Sequence, residues 1–335
     1  MHHVTLYREQ DRFCGWPANN GCWSYDGGRE IVVGFVLAHM KHDVGTSLHR
    51  IDRDRGSVYM QARSSDSGET WEAVETALPG GEASDFPGGI DFTAPGFALK
   101  CVGERFYVST DRAQTWQGPY RLPKDGDFTI QARTDYLVFG PADMMVFLTA
   151  TKSNGQEGRV FCVRTTDGGK SWSPSVWIGP EPEGFSIMPS SLRLPDGRLL
   201  CAIRRRQGDA ETGDVNFIEL WASDDDGATW EYVTKPAPDV GPRAGNPPSM
   251  VQLSDGRIVI TYAYRDTPFG IRATVSADGG ETWRDGIILR DDGGDGDIGY
   301  TRTVVRPDGK LFTAYYYDEQ PEGERFIGGT IWEAE

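Results

Sequence analysis

The sequence predicts an all-β protein that folds as a six-bladed β-propeller, in one domain that spans residues 1–335. Three observations predict it. An octet that contains Asp and Trp occurs five times, predicted β-hairpins alternate with the octets, and turn-forming residues are abundant without any low-complexity stretch. The 42 Gly and 20 Pro residues favour many short strands over long helices, and 38% hydrophobic residues are enough for a packed core.

The octets share the pattern Ser/Thr-x-Asp-x-Gly-x-Thr/Ser-Trp and begin 45 to 58 residues apart. They are SSDSGETW (64–71), STDRAQTW (109–116), TTDGGKSW (165–172), SDDDGATW (223–230) and SADGGETW (276–283), of which the second has Ala113 in place of Gly. An Asp followed by Gly forms a tight turn in which the carboxylate accepts backbone N–H groups. The Trp is expected to pack between neighbouring units. The octet is therefore interpreted as structural.

Each octet follows an apolar, β-rich segment that reads as a hairpin. The hairpins are predicted at 25–35, 101–108, 139–150, 192–203, 251–264 and 304–317. Six hairpins with five octets describe six four-stranded blades, a number within the usual range for propellers. The sixth blade is one strand short, and the N-terminal segment HVTLYRE (3–9) is expected to supply that strand and close the ring.

Charge and composition restrict the function. The chain has 34 basic and 50 acidic residues, and the net charge of −16 argues against partners such as nucleic acid or anionic membranes. The sequence contains no apolar segment of membrane-spanning length, no signal-peptide pattern and no nucleotide-binding loop. The five Cys residues form neither a disulfide framework nor a metal motif. A cytoplasmic protein without cofactor or metal is expected.

The octets are Asp boxes (BNR repeats), and their combination with six hairpins resembles the sialidase (neuraminidase) superfamily. The resemblance covers the whole chain. It implies a glycoside hydrolase whose carbohydrate substrate is an acidic sugar at a non-reducing end, bound where the inner strands meet at the propeller axis. A sugar that carries a carboxylate on the anomeric carbon repels a carboxylate nucleophile, which is why such enzymes use Tyr.

The resemblance also implies individual roles. Tyr300 precedes the Asp308-Gly309 turn by eight residues, as the nucleophile does in sialidases, and Arg204 and Arg265 match two of the three Arg residues that bind the substrate carboxylate. Arg272 is a competitor for Arg265. Arg302, two residues after Tyr300, is expected to point the same way along the strand and is a further candidate for substrate binding.

The long insertion of blade one (38–56) is the region in which sialidases carry their acid/base Asp. Asp52 is the candidate there, with Asp54 and Asp43 as rivals. The insertion also contains three of the five His residues, at 39, 42 and 49. Their spacing matches no established metal motif, and His49 is expected to form hydrogen bonds with the substrate.

Two groups of the sialidase pattern are missing. The position of the first Arg of the triad is occupied here by Gly15, and the position of the Glu that polarises the Tyr is occupied by Met188. Candidates for the missing positive charge are Arg12, Arg50, Arg133 and Arg302. Two alternatives therefore stay open. One is a polysaccharide lyase for uronic acids with Tyr300 as the base, and the other is a non-catalytic carbohydrate-binding propeller.

Overall fold

Six antiparallel sheets form the blades in the computed structural model, which describes residues 1–42, 49–208 and 214–335. The predicted six-bladed propeller is confirmed. In blades three, four and five the strands follow one another across the sheet in chain order, and each octet links the third strand to the fourth. Among the described residues, no helix is long and apolar enough to cross a membrane.

The strands are assigned to blades as follows. β1 (His2–Tyr7) belongs to blade six, and blade one contains β2 (Arg12–Gly15), β3 (Cys22–Tyr25), β4 (Glu30–Met40), β5 (Ile51–Ser64) and β6 (Glu72–Glu75). Blade two contains β7 (Ala98–Val102), β8 (Arg105–Ser109) and β9 (Gln117–Arg121), and blade three contains β10 (Tyr136–Gly140), β11 (Asp143–Thr151), β12 (Glu157–Thr165) and β13 (Val176–Trp177).

The second half of the ring is more regular. Blade four contains β14 (Phe185–Arg193), β15 (Leu199–Gln207), β16 (Val215–Ser223) and β17 (Glu231–Ala237), and blade five contains β18 (Ser249–Gln252), β19 (Ile258–Tyr264), β20 (Gly270–Ser276) and β21 (Arg284–Arg290). Blade six contains β22 (Gly299–Val305), β23 (Leu311–Tyr317) and β24 (Phe326–Trp332) together with β1. Helix α1 (Pro17–Asn20) and a 3-10 turn (Asp26–Gly28) lie in blade one.

The first strand closes the ring, as predicted. β1 pairs antiparallel with β24, with His2 opposite Ile331 and Val4 opposite Gly329. Blade six therefore combines the beginning of the chain with its last hairpin. Since both backbones are hydrogen-bonded, the outer edge of β24 is covered.

The octets have the geometry that their sequence predicts. In the first, Ser64 Oγ accepts the backbone N–H of Gly68 at 2.8 Å, and the Asp66 carboxylate accepts the N–H and the hydroxyl of Thr70 at 2.9 and 2.6 Å. The Trp71 ring then packs on Phe312 of blade six, with centroids 5.0 Å apart. The octet thus fixes a turn and anchors its blade to the preceding one.

Blade two departs from the pattern, because its octet follows the second of its strands rather than the third. The inner position next to β7 is contacted by helix α1 instead. Lys100 of β7 donates to the carbonyl of Asn20 at 2.9 Å, and Arg302 of β22 donates to the carbonyl of Ala18 at 2.8 Å. The last carbonyls of a helix have no partner within it, so the Lys100 and Arg302 side chains hold α1 near the axis.

Lys100 gives the fold a predictable pH dependence. Burial lowers the pKa of its ammonium to about 7, so between pH 7 and the ordinary Lys value the unfolded chain holds a proton that the folded chain has released. Stability contributed by this group therefore rises with pH. We expect the free energy of unfolding of the wild type, relative to Lys100→Met, to increase between pH 7.0 and 8.5 by about 1 kcal/mol per pH unit. Denaturant titrations of both proteins check this, and parallel pH profiles would contradict it.

Candidate active site

Tyr300 begins the inner strand of blade six in an unusual backbone conformation. Its φ is 55°, and the register between β22 and β23 shifts between Gly299 and Arg302. The Tyr300 N–H donates to Asn246 Oδ1 at 2.9 Å, and the side chain is only 6% exposed. A left-handed conformation costs a bulky residue free energy that the surrounding structure must supply. The fold therefore holds this ring in a defined position at the axis.

Two buried guanidinium groups lie against the Tyr300 ring. The guanidinium carbons of Arg204 and Arg265 are 5.9 and 5.6 Å from the ring centroid, and Arg204 Nη1 donates to the Tyr300 hydroxyl at 3.3 Å. Arg204 also donates to the carbonyl of Ala244, and Arg265 donates to the carbonyl of Ile298. Both side chains are thus oriented by backbone acceptors, which are neutral.

Neither guanidinium forms a salt bridge with a carboxylate in the described part of the chain. Arg204 is 4% exposed and Arg265 is fully buried, and Arg265 Nη1 has no hydrogen-bond partner there. Burial lowers the pKa of Arg204. By contrast, the fully buried Arg325 forms ion pairs with Asp295 at 2.7 Å and Asp318 at 3.2 Å. Buried charges are normally paired, so two guanidinium groups without a salt bridge in the described chain are the unusual feature of the surroundings of Tyr300.

An imidazole–carboxylate pair completes the cluster. His49 Nδ1 lies 2.7 Å from Asp297 Oδ1, and the His49 ring packs edge-on against Tyr300 with centroids 6.2 Å apart. Burial lowers the pKa of His49, and the hydrogen bond and charge of Asp297 oppose that shift without cancelling it. Since Asp297 is ionised, the proton of the neutral ring lies on Nδ1, and Nε2 is the basic nitrogen.

Asp297 is held by several donors at once. Burial acts to raise its pKa, but the hydrogen bond from His49 and the charges of His49, Arg325 and Arg265 outweigh burial and hold the pKa at about 2. Its carboxylate also accepts the hydroxyl of Tyr316 and the backbone N–H of Arg50, at 2.7 and 3.0 Å. The Tyr316 hydroxyl accepts in turn from Arg265 at 2.8 Å. One hydrogen-bond network therefore connects Arg265 to His49.

The structure brings together four of the residues singled out from sequence: Tyr300, Arg204, Arg265 and His49. Arg302 lies elsewhere, since its Nη2 donates to the carbonyls of Ala18 and Thr134, and none of its hydrogen bonds in the described residues involves the other four. It secures α1 instead.

The acid/base candidates are at the start of β5. Asp52 pairs in register with His39, and its carboxylate accepts the N–H of Asp54 at 3.1 Å. Its hydrogen bonds in the described chain do not reach Tyr300. Asp43 lies outside the described residues. Arg272, the competitor of Arg265, stacks on Tyr264 at 4.3 Å from that ring's centroid.

Met188, at one position where the sialidase pattern is broken, and Trp16, next to the other position, both border the cluster. Trp16, which follows Gly15, has φ 66° and packs on His49 with ring centroids 5.1 Å apart. Met188, with φ 58°, places its sulfur 3.3 Å from Arg204 Nη1. An indole and a thioether therefore occupy the surroundings in which sialidases have a guanidinium and a carboxylate. The other candidate cations, Arg12, Arg50 and Arg133, form ion pairs with Glu9, Asp295 and Glu157.

Sequence reasoning missed Asp297 and Tyr316. Asp297 carried a signal, because it stands three residues before Tyr300 in the segment DIGY. Tyr316 lies in a run of three Tyr residues on β23, and alternation alone does not say which of the three faces the axis. Among the described residues, no group of three or more His, Cys, Asp or Glu side chains is arranged to hold a metal ion.

Comparison with known families places the chain. The model of a family described as a BNR repeat-like domain matches residues 95–313. The chain belongs to this family. The match confirms the BNR repeats that the octets indicated. A search of curated proteins finds no match.

Solved structures share the fold over nearly the whole chain. A protein of unknown function from Dyadobacter fermentans is 20% identical, with a TM-score of 0.72 and coverage of 99% of this chain and 98% of the other. The NanB sialidase of Streptococcus pneumoniae is 11% identical, with a TM-score of 0.63 and coverage of 98% and 70%. An α-L-arabinofuranosidase from Fusarium graminearum is 12% identical, with a TM-score of 0.61 and coverage of 99% and 98%. At these identities the likeness concerns the fold.

Proposed function

We propose that residues 1–335 form one domain and that it is a glycoside hydrolase that removes a carboxylate-bearing sugar from a non-reducing end. The observation that carries the proposal is the pair of buried guanidinium groups, Arg204 and Arg265, that lie against Tyr300 without a carboxylate partner in the described chain. The overall charge of −16 repels anions at long range. A local pair of Arg residues overcomes that repulsion for a carboxylate that reaches the axis.

In this proposal the substrate carboxylate accepts hydrogen bonds from Arg204 and from Arg265, whose Nη1 has no partner among the described residues. Guanidinium groups suit this task because their planar N–H groups match carboxylate geometry. The carboxylate then fixes the adjoining anomeric carbon next to the Tyr300 oxygen. Proximity of this kind supplies a large part of a catalytic barrier reduction.

Bond cleavage follows from that placement. The Tyr300 oxygen bonds to the anomeric carbon while the bond to the leaving oxygen breaks, and the phenolic proton passes through His49 to the leaving oxygen. Water then attacks the anomeric carbon, gives its proton to His49, and Tyr300 departs and is reprotonated. Asp297 stabilises the imidazolium that forms in each step, as a buried carboxylate does in other acid–base pairs. Asp52, three residues after His49, is the alternative group for this proton.

The structural neighbours support a carbohydrate partner, since two of them are named as a sialidase and an arabinofuranosidase. A second candidate function has its own support. The Tyr300 hydroxyl accepts a hydrogen bond from Arg204. A cation at this position stabilises the negative charge that the Tyr300 oxygen carries when the hydroxyl proton leaves. This arrangement favours Tyr300 as the base of a lyase that abstracts the proton next to a uronic acid carboxylate.

A panel of glycosides tests both candidates. Acidic glycosides, their carboxamide or reduced analogues and neutral glycosides are incubated with the protein, and products are followed by NMR and by ultraviolet absorbance. We expect saturated products and a strong preference for the carboxylate. An unsaturated, ultraviolet-absorbing product would establish the lyase instead, and equal turnover of neutral glycosides would overturn the anion site.

The pH profile of Asp297→Asn tests the role of His49. Asp297 opposes the burial effect on His49, so its loss lowers the pKa of His49 further, and the acidic limb of kcat/KM should move to lower pH. We also expect kcat to fall about 10²-fold or more, because the amide no longer stabilises the imidazolium. His49→Asn and Asp52→Asn are compared under the same conditions. If the acidic limb of kcat/KM changed in Asp52→Asn but stayed in place in Asp297→Asn, Asp52 rather than His49 would be the group that transfers the proton.

A further inference from the structure

A buried ion-pair cluster lies next to Asp297, at the end of blade six where Tyr300 lies. Its centre is Arg325, which precedes β24 and is fully buried. Arg325 Nη2 lies 2.7 Å from both carboxylate oxygens of Asp295, and its Nη1 lies 3.2 Å from Asp318 Oδ2. Its Nε lies 3.6 Å from Asp297 Oδ2 and donates to the Asp297 carbonyl at 2.9 Å. One guanidinium therefore contacts three carboxylates.

Burial and charge distinguish Asp318 from the other two carboxylates. Asp318 follows β23 and is fully buried, whereas Asp295 is 18% exposed and has a second cation in Arg50, at 3.4 Å. Within the described residues, the cation that forms an ion pair with Asp318 is Arg325 alone. Burial raises the pKa of Asp318 to about 7, although the charge of Arg325 opposes the rise. The Asp318 carboxyl therefore changes its charge near neutral pH.

The surroundings of Asp318 contain few other charges that act on it. The charged groups that face it from the neighbouring elements are Arg325, which precedes β24, and Asp295 and Asp297, which precede β22. Glu319, the next residue, forms ion pairs with Arg8 and Arg290, at 2.8 and 3.3 Å. The charge balance of the cluster is therefore decided by one guanidinium and the three carboxylates around it.

Arg325 also connects this cluster to His49. Its guanidinium lies beside the Asp297 carboxylate, which holds His49 Nδ1 at 2.7 Å. Burial and the charges of the two arginines beside Tyr300 already disfavour a proton on His49. The positive charge of Arg325 acts in the same direction, and the ionised Asp318 offsets it. A negative charge on Asp318 therefore favours the imidazolium form of His49.

We propose that Asp318 is a positioning residue: by offsetting the charge of Arg325, it stabilises the imidazolium form of His49. The role in catalysis rests on the proposed function, in which His49 carries the proton in both steps. Asp318 loses its own proton near neutral pH. The basicity of His49 is therefore greatest above that pH, and the rate responds to a carboxyl that is buried away from the substrate.

An NMR titration of the His49 imidazole tests the proposal without any substrate. Asp318→Asn keeps the size of the side chain and removes its charge, so we expect the pKa of His49 to fall, by less than in Asp297→Asn. Asp295→Asn removes another carboxylate from Arg325 at a partly exposed position, and the pKa of His49 should fall there too. This second variant gives the answer if Asp318→Asn does not fold. The signals of His49 are identified by their absence in His49→Asn.

Glu219→Gln is the matched control. Glu219 is also a buried carboxyl whose pKa is raised by burial, but it lies on β16 of blade four and pairs with Arg205 at 3.7 Å. Its replacement should leave the pKa of His49 unchanged. The proposal is overturned if the pKa of His49 keeps its wild-type value in both Asp318→Asn and Asp295→Asn, or if it falls equally in Glu219→Gln.

Kinetics separate this proposal from the proposed reaction. In Asp318→Asn we expect kcat for the best acidic glycoside to fall about threefold to tenfold, as coupling within one ion-pair network predicts. The acidic limb of kcat/KM should move to lower pH, while KM changes little. If the wild type turns over no glycoside, the hydrolase is refuted and the NMR titration still decides the role of Asp318. If the wild type is active and the pH profile of Asp318→Asn is unchanged, the role of Asp318 is refuted and the hydrolase stands.

Discussion

Replacing Arg265 by Met is expected to lower kcat/KM for acidic glycosides by roughly 10²- to 10³-fold, or about 2–4 kcal/mol. Arg265 is fully buried and lies 5.6 Å from the Tyr300 centroid, and its Nη1 has no partner in the described chain. In Arg265→Met, a substrate carboxylate can bind only one guanidinium of the pair, that of Arg204. Neutral analogues are expected to have a low kcat/KM with the wild type already, so their kcat/KM should fall little further in Arg265→Met. Steady-state kinetics on both substrate types measure the difference.

Arg290→Met is the matched control. Arg290 is also buried, but its guanidinium is paired with Asp292 at 2.6 Å and with Glu319 at 3.3 Å. Its removal leaves carboxylates without their partner and should cost stability, while the folded protein keeps its kcat/KM. Arg265→Met breaks no salt bridge of the described chain, but it leaves the Ile298 carbonyl without its guanidinium donor, so kcat/KM is compared on the folded fraction of each variant. Equal losses of activity in the two variants would mean that Arg265 acts through the fold rather than through the substrate.

Tyr300→Phe is expected to reduce kcat at least about 10²-fold while KM changes little, because the hydroxyl takes part only as the transition state forms. The ring and its contacts with His49 and Tyr316 are kept. The measurement is full Michaelis–Menten kinetics on the best acidic glycoside of the panel. A variant that retains wild-type kcat would exclude both the hydrolase and the lyase mechanism.

Tyr315→Phe controls for the loss of a buried hydroxyl. Tyr315 is fully buried on β23, and its hydroxyl lies 2.6 Å from that of Thr330, away from the cluster. It should therefore lose a modest amount of stability and no activity. If the two Phe variants behave alike, the hydroxyl of Tyr300 has a structural role.

The fold was predictable because its signal is local and repeated. Each octet encodes a turn and a packing Trp within eight residues, so five copies specify the blades and their order without knowledge of long-range contacts. Blade two shows the limit of this reasoning. Its octet, the one with Ala113, predicts a blade like the others, yet helix α1 from blade one takes the inner position, and a four-residue helix leaves no periodic signal.

The site was predictable only where a residue has a fixed place in the repeat. Tyr300, Arg204 and Arg265 each stand at a set distance from a hairpin turn, so the blade geometry carries them to the axis. Arg302 shares a strand with Tyr300, but the left-handed residue and the register shift that follow Gly299 interrupt the alternation on which its prediction relied. The His49–Asp297 pair joins residues 248 positions apart and depends on tertiary contact.

Ring closure has a consequence for the completeness of the candidate site. Tyr7 and Phe326 are separated by 319 residues, yet they end and begin the strands that pair in blade six. During synthesis β1 is made first, and β24, the strand with which it pairs, is made last. His49, between β4 and β5 of blade one, contacts Asp297 and Tyr300 at the start of blade six. The candidate site is therefore complete only when the last blade lies beside the first, so its geometry depends on the closed ring as a whole.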